Sequence, residues 1–278
     1  MECYFGGTSS AYTDAETGKT TVTIYGQTKP DWSVATRAEL AAGLRRIARC
    51  GVKLGRARTS MAKLRPQDWA ESWKRHFKPI EISSALLVKP SWSQKRAKQG
   101  QALVVLDPGL SFGTGQHPTT AFCLGQLVTR RQPGGSQSFL DIGTGSGILA
   151  IAAAKIGYSP VHAFDLDRDS IRIARANAHR NHESHTIRFR QLDARKLSTY
   201  SSKKYSVICA NLIATLLVAE RNRILARLEA KGVLILAGIL KNEFDTVRKA
   251  YEELGLRLLT SRTEKEWRSA SFSSVNET

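Results

Sequence analysis

The chain has 278 residues, 41% of them hydrophobic and 24% charged, which excludes a disordered chain and gives enough apolar material for a core. Its apolar runs, such as Val233-Leu234-Ile235-Leu236-Ala237, fall far short of the about 20 residues of a membrane span, and its opening residues lack the basic start and apolar stretch of a secretion signal. Cys3, Cys50, Cys123 and Cys209 are too scattered for a disulfide framework or a zinc site, so no metal and a cytoplasmic setting are expected. The net charge of +18 attracts polyanions such as nucleic acid, although a general basic bias gives the same number.

The length is natural for two domains. Residues 1–78 read as a small α+β domain. Thr20-Thr21-Val22-Thr23-Ile24-Tyr25 is β-branched and aromatic, as strands are. Leu40, Leu44 and Ile47 recur at helical spacing behind a capping Ser33, and Trp69, Trp73 and His76 or Phe77 share a face of a second helix. Residues 79–101 read as a linker that includes the basic run from Ser93 to Gln101. From residue 102 onward, apolar strands alternate with longer amphipathic segments, which predicts a doubly wound α/β domain to residue 278. Its elements are a strand at Ser138–Ile142, a helix at Ile148–Ile156 stopped by Gly157, and a strand at Val161–Phe164 ending on Asp165. A helix at Asp169–Arg180 and strands at Ile187–Leu192 and Val207–Ala210 follow, the last ending on Asn211. A helix at Leu212–Leu228, a strand at Val233–Leu236, a helix at Glu243–Leu254 and a hairpin around Trp267–Phe272 complete it.

Chemistry concentrates where strands end. Glycines at 143, 145 and 147 form a G-x-G-x-G turn between strand and helix, where backbone can touch a ligand and helical N–H groups are free. Asp141 beside the turn would repel a pyrophosphate and suit a cationic group, such as the amine of S-adenosylmethionine. Asp165, 24 positions later, suits a pair of ribose hydroxyls, a device that nicotinamide enzymes share. Asp167 and Asp169 read as helix-capping or exposed residues. Asp193, after the third strand, is either an adenine contact or a turn residue. Asn211 either meets the ligand at its strand end or caps the next helix. The segment Leu106–Thr120 is a shaped loop that folds over the ligand, with Pro118 opening a helix.

Asp107–Thr120, the Asp141–Ile151 turn, Asp165-Leu166-Asp167, Ala210-Asn211-Leu212-Ile213 and Glu264-Lys265-Glu266-Trp267 together resemble the PrmA family, the methyltransferases of ribosomal protein L-eleven. The match runs from about Trp69 to Trp267, and Phe-Gly-Thr-Gly-x-His-x-Thr-Thr, ending on Thr120, is its most specific part. The resemblance implies a seven-stranded, mostly parallel methyltransferase sheet behind a small substrate-recognition domain, with S-adenosylmethionine as cofactor. It places Thr120, Gly143, Asp165 and Asn211 on cofactor contacts; Gly145 and Asp193 join them from the strand-end reading. Asn211 would also orient the acceptor amine, a lysine ε-amino or N-terminal α-amino group of ribosomal protein L-eleven. His117 would relay a proton or hold the loop, and Trp267 would wall the acceptor channel or pack the hairpin. The large ribosomal subunit is the expected partner, with rRNA contact through the basic surface. Thr144 stands where the family usually has a cysteine or similar residue, and the first domain is expected to be shortened. Asn211-Leu212-Ile213-Ala214 lacks the Pro-Pro-aromatic that stacks a base or a glutamine acceptor. The alternatives are another protein's lysine, a non-enzymatic ribosome- or RNA-binding protein, and a nicotinamide oxidoreductase disfavoured by Asp141.

Overall fold

The computed structural model describes residues 8–13, 20–25, 31–49, 51, 59–61, 77–107, 117–132 and 134–274. The chain divides into two compact units, Met1–Ser72 and Trp73–Thr278.

In the first unit, strand β1 (Thr8–Thr13) pairs antiparallel with β2 (Thr20–Tyr25), Thr13 opposite Thr20. Helix α1 (Val34–Arg49) starts at Ser33, whose Oγ accepts from the Thr36 amide at 3.3 Å, as an N-cap does. The aromatic helix expected at Gln67–Phe77 lies outside the described residues except for Phe77.

The second unit opens with a correction. The segment expected as a linker carries β3 (Ile80–Ile82) and β4 (Leu86–Lys89), which form a three-stranded sheet with β5 (Ala102–Val105). Leu86 and Leu87 are fully buried, and Leu86, Val88 and Val104 belong to one core with the helices that follow. The polar run after β4 hides that core role in the sequence. Its Lys95 and Lys98 both pair with Glu81, whose carboxyl they hold down at about 2.

Helix α2 (Pro118–Arg130) begins with Pro118 at its first turn, as expected. Then come β6 (Phe139–Ile142), α3 (Ile148–Lys155), β7 (Val161–Asp165), α4 (Arg168–Arg180), β8 (Ile187–Gln191) and a one-turn 3₁₀ helix at Ala194–Lys196. The chain continues through β9 (Tyr205–Asn211), α5 (Ala214–Ala219), α6 (Arg221–Leu225), β10 (Leu228–Leu240), α7 (Phe244–Glu252), β11 (Leu256–Glu264) and β12 (Trp267–Ser274). The single helix expected at Leu212–Leu228 is thus two short ones. The chain leaves helical geometry at Glu220 (φ −101°, ψ 12°), whose carboxylate takes Arg223 Nε at 2.7 Å. Strand β10 is also longer than expected, because Leu228 already pairs with Tyr205 before a register shift leads into the apolar run.

The seven strands run β11-β12-β10-β9-β6-β7-β8. Five are parallel, and the β11–β12 hairpin closes one edge antiparallel. One face packs α2, α3 and α4 through Leu124, Leu127, Ile151 and Ala174. The other packs α5, α6 and α7 through Leu217, Ile224, Phe244 and Tyr251. Chain order reverses between β6 and β9: β7 and β8 follow on one side of β6, β10 on the far side of β9. Such a reversal opens a crevice beyond the carboxyl ends of the strands. No helix among the described residues is long and apolar enough to cross a membrane.

Candidate active site

The turn after β6 stands at that reversal. The Gly143 and Thr144 amides both donate to the Phe164 carbonyl, at 2.9 and 3.1 Å, binding the turn to the end of β7. Gly143, Gly145 and Gly147 have φ of 75°, 52° and 82°, which side chains other than glycine rarely adopt. Gly143 has a second reason to be glycine. A Cβ there would lie 2.5 Å from Leu212 Cδ2, so the residue is shaped by packing against the chain after β9. Gly147 caps α3 from the left-handed region with no side-chain cap, and Asn177 Nδ2 holds the Ser146 carbonyl at 2.8 Å.

Asp141 lies beneath the turn and is fully buried. Its Oδ2 accepts from Thr144 Oγ1 at 2.6 Å, while Oδ1 has no partner. Burial pushes its pKa up to about 7 and nearby Asp165 adds to that, while the Thr144 hydroxyl and the Ala150 amide pull it back. The side chain ties the turn to its strand through Thr144, and its Oδ1 is left buried and unpartnered, as Thr120 Oγ1 is. Cys209, opposite Asp141 in the sheet, is also buried, and burial and the neighbouring Cys123 raise its thiol pKa.

Asp165 is presented differently. Half-buried at the end of β7, it accepts from the Gly145 amide at 2.9 Å through Oδ2 and from the Asp167 amide at 3.0 Å through Oδ1. Two backbone donors fix the carboxylate, and among the described residues its remaining lone pairs face no donor. Asp167 is the α4 N-cap, accepting from Asp169 and Ser170 amides, as its position predicted.

At the end of β9, Asn211 does not cap the next helix; the N-cap of α5 is Ile213. Asn211 Nδ2 instead donates to Thr119 Oγ1 at 3.4 Å, and that hydroxyl also meets His117 Nδ1 at 2.7 Å. The His117 ring stands edge-on to Trp267 at 5.0 Å. Burial lowers the His117 pKa, so the ring is neutral at pH 7. The start of α2 and the end of β9 therefore share one polar chain, and the start of β12 adds a ring contact to it. Thr120, the next residue on α2, is buried with an unpartnered Oγ1. Gly238 on β10 (φ +81°) leaves room for this arrangement, since a Cβ there would lie 2.6 Å from Leu212 O and 3.0 Å from Asn211 Oδ1.

The profile of the family described as ribosomal protein L11 methyltransferase (PrmA) matches residues 10–274. The chain belongs to the PrmA family. The match includes both units and reaches further toward the N-terminus than the resemblance read from Trp69 onward. A ribosomal protein L11 methyltransferase of Streptococcus equi subsp. zooepidemicus is 34% identical over 244 residues, covering 87% of this chain and 74% of that one. One from Desulforapulum autotrophicum is 40% identical over 204 residues, covering 72% and 65%. The crystal structure of ribosomal protein L11 methylase from Lactobacillus delbrueckii subsp. bulgaricus aligns with a TM-score of 0.63 at 27% identity, covering 72% of this chain and 100% of that one.

Within this PrmA fold, Gly143, Gly145 and Asp165 form one hydrogen-bonded unit, and Asn211 stands across the reversal point from it. Asp193 is engaged elsewhere. It caps the 3₁₀ turn through the Arg195 amide and holds the Arg195 guanidinium with both oxygens, which lowers its pKa. The family's most specific segment is described only at its ends: residues 108–116 lie outside the described residues. Asp107, at its start, binds Ser91 and Arg180. Thr119 and Gly238 were not singled out from sequence. Thr119 stood one position from the residue that was, and Gly238 interrupts an apolar strand, a signal for close backbone approach.

Proposed function

We propose that this PrmA-family chain transfers the methyl group of S-adenosylmethionine to amino groups of ribosomal protein L11, on lysine side chains or the N-terminus. The observation that carries it is the set of polar groups at the sheet reversal, Asp165 with the glycine turn on one side and Asn211 with Thr119 on the other. The residues fit the cofactor. Asp165 presents fixed, unshared lone pairs suited to ribose hydroxyls, and the Thr120 hydroxyl is buried without a partner, which costs about 1–3 kcal/mol unless a ligand supplies one. Gly143 and Gly145 would give the backbone approach. Asp193 would meet the adenine amine only by sharing a carboxylate with Arg195. When bound, the cofactor supplies an electrophilic methyl group on a sulfonium.

The chain's own part is to present a neutral amine. A free lysine has a pKa of about 10.4, so neutrality at pH 7 costs roughly 4–5 kcal/mol. A cleft that removes water lowers that cost. Asn211 Nδ2 can only donate, and one of its N–H groups meets Thr119, so its Oδ1 is the acceptor that orients the incoming N–H. The His117–Thr119 pair fixes that orientation, and Trp267 stands beside it as a wall. No strong base is required in the transfer step, because the lysine ammonium passes its proton to solvent water before the neutral amine attacks. Leu212-Ile213-Ala214 after Asn211 offers no aromatic face for a nucleobase, which favours an aliphatic amine.

Calorimetry tests the cofactor half. Asp165→Ala is expected to weaken S-adenosylmethionine binding roughly tenfold or more, since hydrogen bonds involving a charged group contribute about 1.5–3 kcal/mol. Unchanged affinity in a folded variant contradicts the assignment.

A further inference from the structure

A second candidate site lies on the sheet face beside β7 and β8. On the face packed by α5, α6 and α7, no long helix covers β7 and β8, because the β8–β9 connection holds only the 3₁₀ turn Ala194–Lys196. A cavity of about 390 Å³ opens there; its walls are largely apolar, and His162, Arg188, Arg190, Lys203, Tyr205 and Arg227 bring its polar groups. A second, of about 750 Å³, shares His162 and Arg188 and continues past Arg175, His179 and His185. The two cavities flank edge strand β8 on opposite faces of the sheet, and neither has a carboxylate in its lining. Among the described residues, Arg188, Arg190 and Lys203 make no ion pair with a carboxylate. His162 and Arg188 stand at strand starts, while Phe164, Arg190 and Leu192 carry the first cavity toward the end of β7, where the Leu192 amide donates to the Asp165 carbonyl.

The first cavity is a groove whose floor is prepared for an anion. Lys203 Nζ lies 3.3 Å from His162 Nε2, and an ammonium can only donate, so Nε2 accepts. Nδ1 then carries the ring hydrogen and donates to Tyr205 Oη at 2.8 Å, which leaves the Tyr205 hydroxyl hydrogen free to donate. Burial and the three cations beside it hold the His162 pKa down at about 4. Arg227 is anchored through one guanidinium nitrogen on the Ser198 and Arg223 carbonyls. Arginines on an edge strand also guard against strand-to-strand aggregation. That role explains Arg188 and Arg190 on β8 but not the convergence of Lys203 and Arg227 from two other segments on one cavity.

We propose that the groove along β8 binds the phosphodiester backbone of a nucleic acid. Arg188 and Arg190 point to the same face two residues apart, about 6.6 Å, which matches successive phosphates along a strand. The site is independent of methyl transfer. It gives the +18 charge a specific location.

The test is fluorescence anisotropy of a labelled 20-nucleotide RNA, and of DNA of the same sequence, against salt. Arg188→Gln/Arg190→Gln/Lys203→Gln is compared with Lys231→Gln/Lys249→Gln/Arg257→Gln, an equal charge loss at exposed positions away from the groove. Three cations at about 0.7 each on a single strand predict a salt slope shallower by roughly 2 and, at 0.1 M salt, binding weaker by roughly a hundredfold in the groove variant. The control is expected to change by less than about threefold, and Arg190→Gln alone by about fivefold. Groove-specific loss on either nucleic acid supports the site, and the stronger of the two names its source. Equal losses in both triple variants, or groove-dependent binding to phosphatidylglycerol vesicles without RNA or DNA binding, overturn it.

Discussion

Asp141 and Thr119 are the two residues whose roles depend most on what surrounds them. The Asp141 pKa in the folded chain, about 7, is above its ordinary 3.8, so between those values the native state holds a proton that the unfolded chain has released. Stability from this residue is therefore full below about pH 4 and is lost as the pH rises toward 7. Asp141→Asn keeps an acceptor for Thr144 and removes the titration. Urea midpoints measured from pH 5 to pH 8 should fall more for wild type than for the variant, and parallel profiles would show that Asp141 is not the source. Thr119 links His117 to Asn211, so Thr119→Val frees both while leaving the cofactor turn intact. The expected result is a fall in single-turnover methyl transfer of about tenfold, the size of one hydrogen bond, with cofactor affinity nearly unchanged and rescue by Thr119→Ser. A loss confined to cofactor affinity would place Thr119 elsewhere in the site.

The glycine turn and the chain after β9 act as one element, and a double mutant tests this. Gly143→Ala adds a left-handed backbone cost of about 1–2 kcal/mol and a Cβ that meets Leu212. Leu212→Ala in the same chain should recover part of the lost stability but not the backbone share. Additive losses in denaturant midpoints would mean the two residues do not touch. Much of this region was legible in the sequence, because its signals are local: glycine spacing, apolar strands ending on Asp141, Asp165 and Asn211, Ser33 and Asp167 as caps, and Pro118 as a helix opener. What was illegible depended on distance or context. Thr119 meets Asn211 across 92 positions, which no spacing rule reports. The apolar stretch after Leu212 keeps helical periodicity through the break at Glu220. The linker reading of residues 79–101 failed because β3 and β4 are short and a polar run separates them from their partner β5.

At the scale of the whole molecule, a small cofactor and a large substrate respond differently to the charge of +18. Screening acts on long-range encounter and little on enclosed contacts. The association rate of an RNA-bound ribosomal substrate should therefore fall steeply between about 0.05 and 0.3 M salt, over which the Debye length shrinks from about 14 to about 6 Å, while S-adenosylmethionine affinity changes little; equal slopes in stopped-flow and calorimetric titrations would contradict this. The central claim is the identity of the acceptor, and one measurement addresses it directly. Methyl-labelled S-adenosylmethionine is given in parallel to purified ribosomal protein L11, assembled large subunits and naked rRNA, with the wild-type chain and Asn211→Ala. The account predicts label on amino groups of L11, a rate that rises with pH up to the amine's pKa in the complex, and a large loss in the variant. Label in rRNA, or none in L11 from a chain that binds the cofactor, would contradict it.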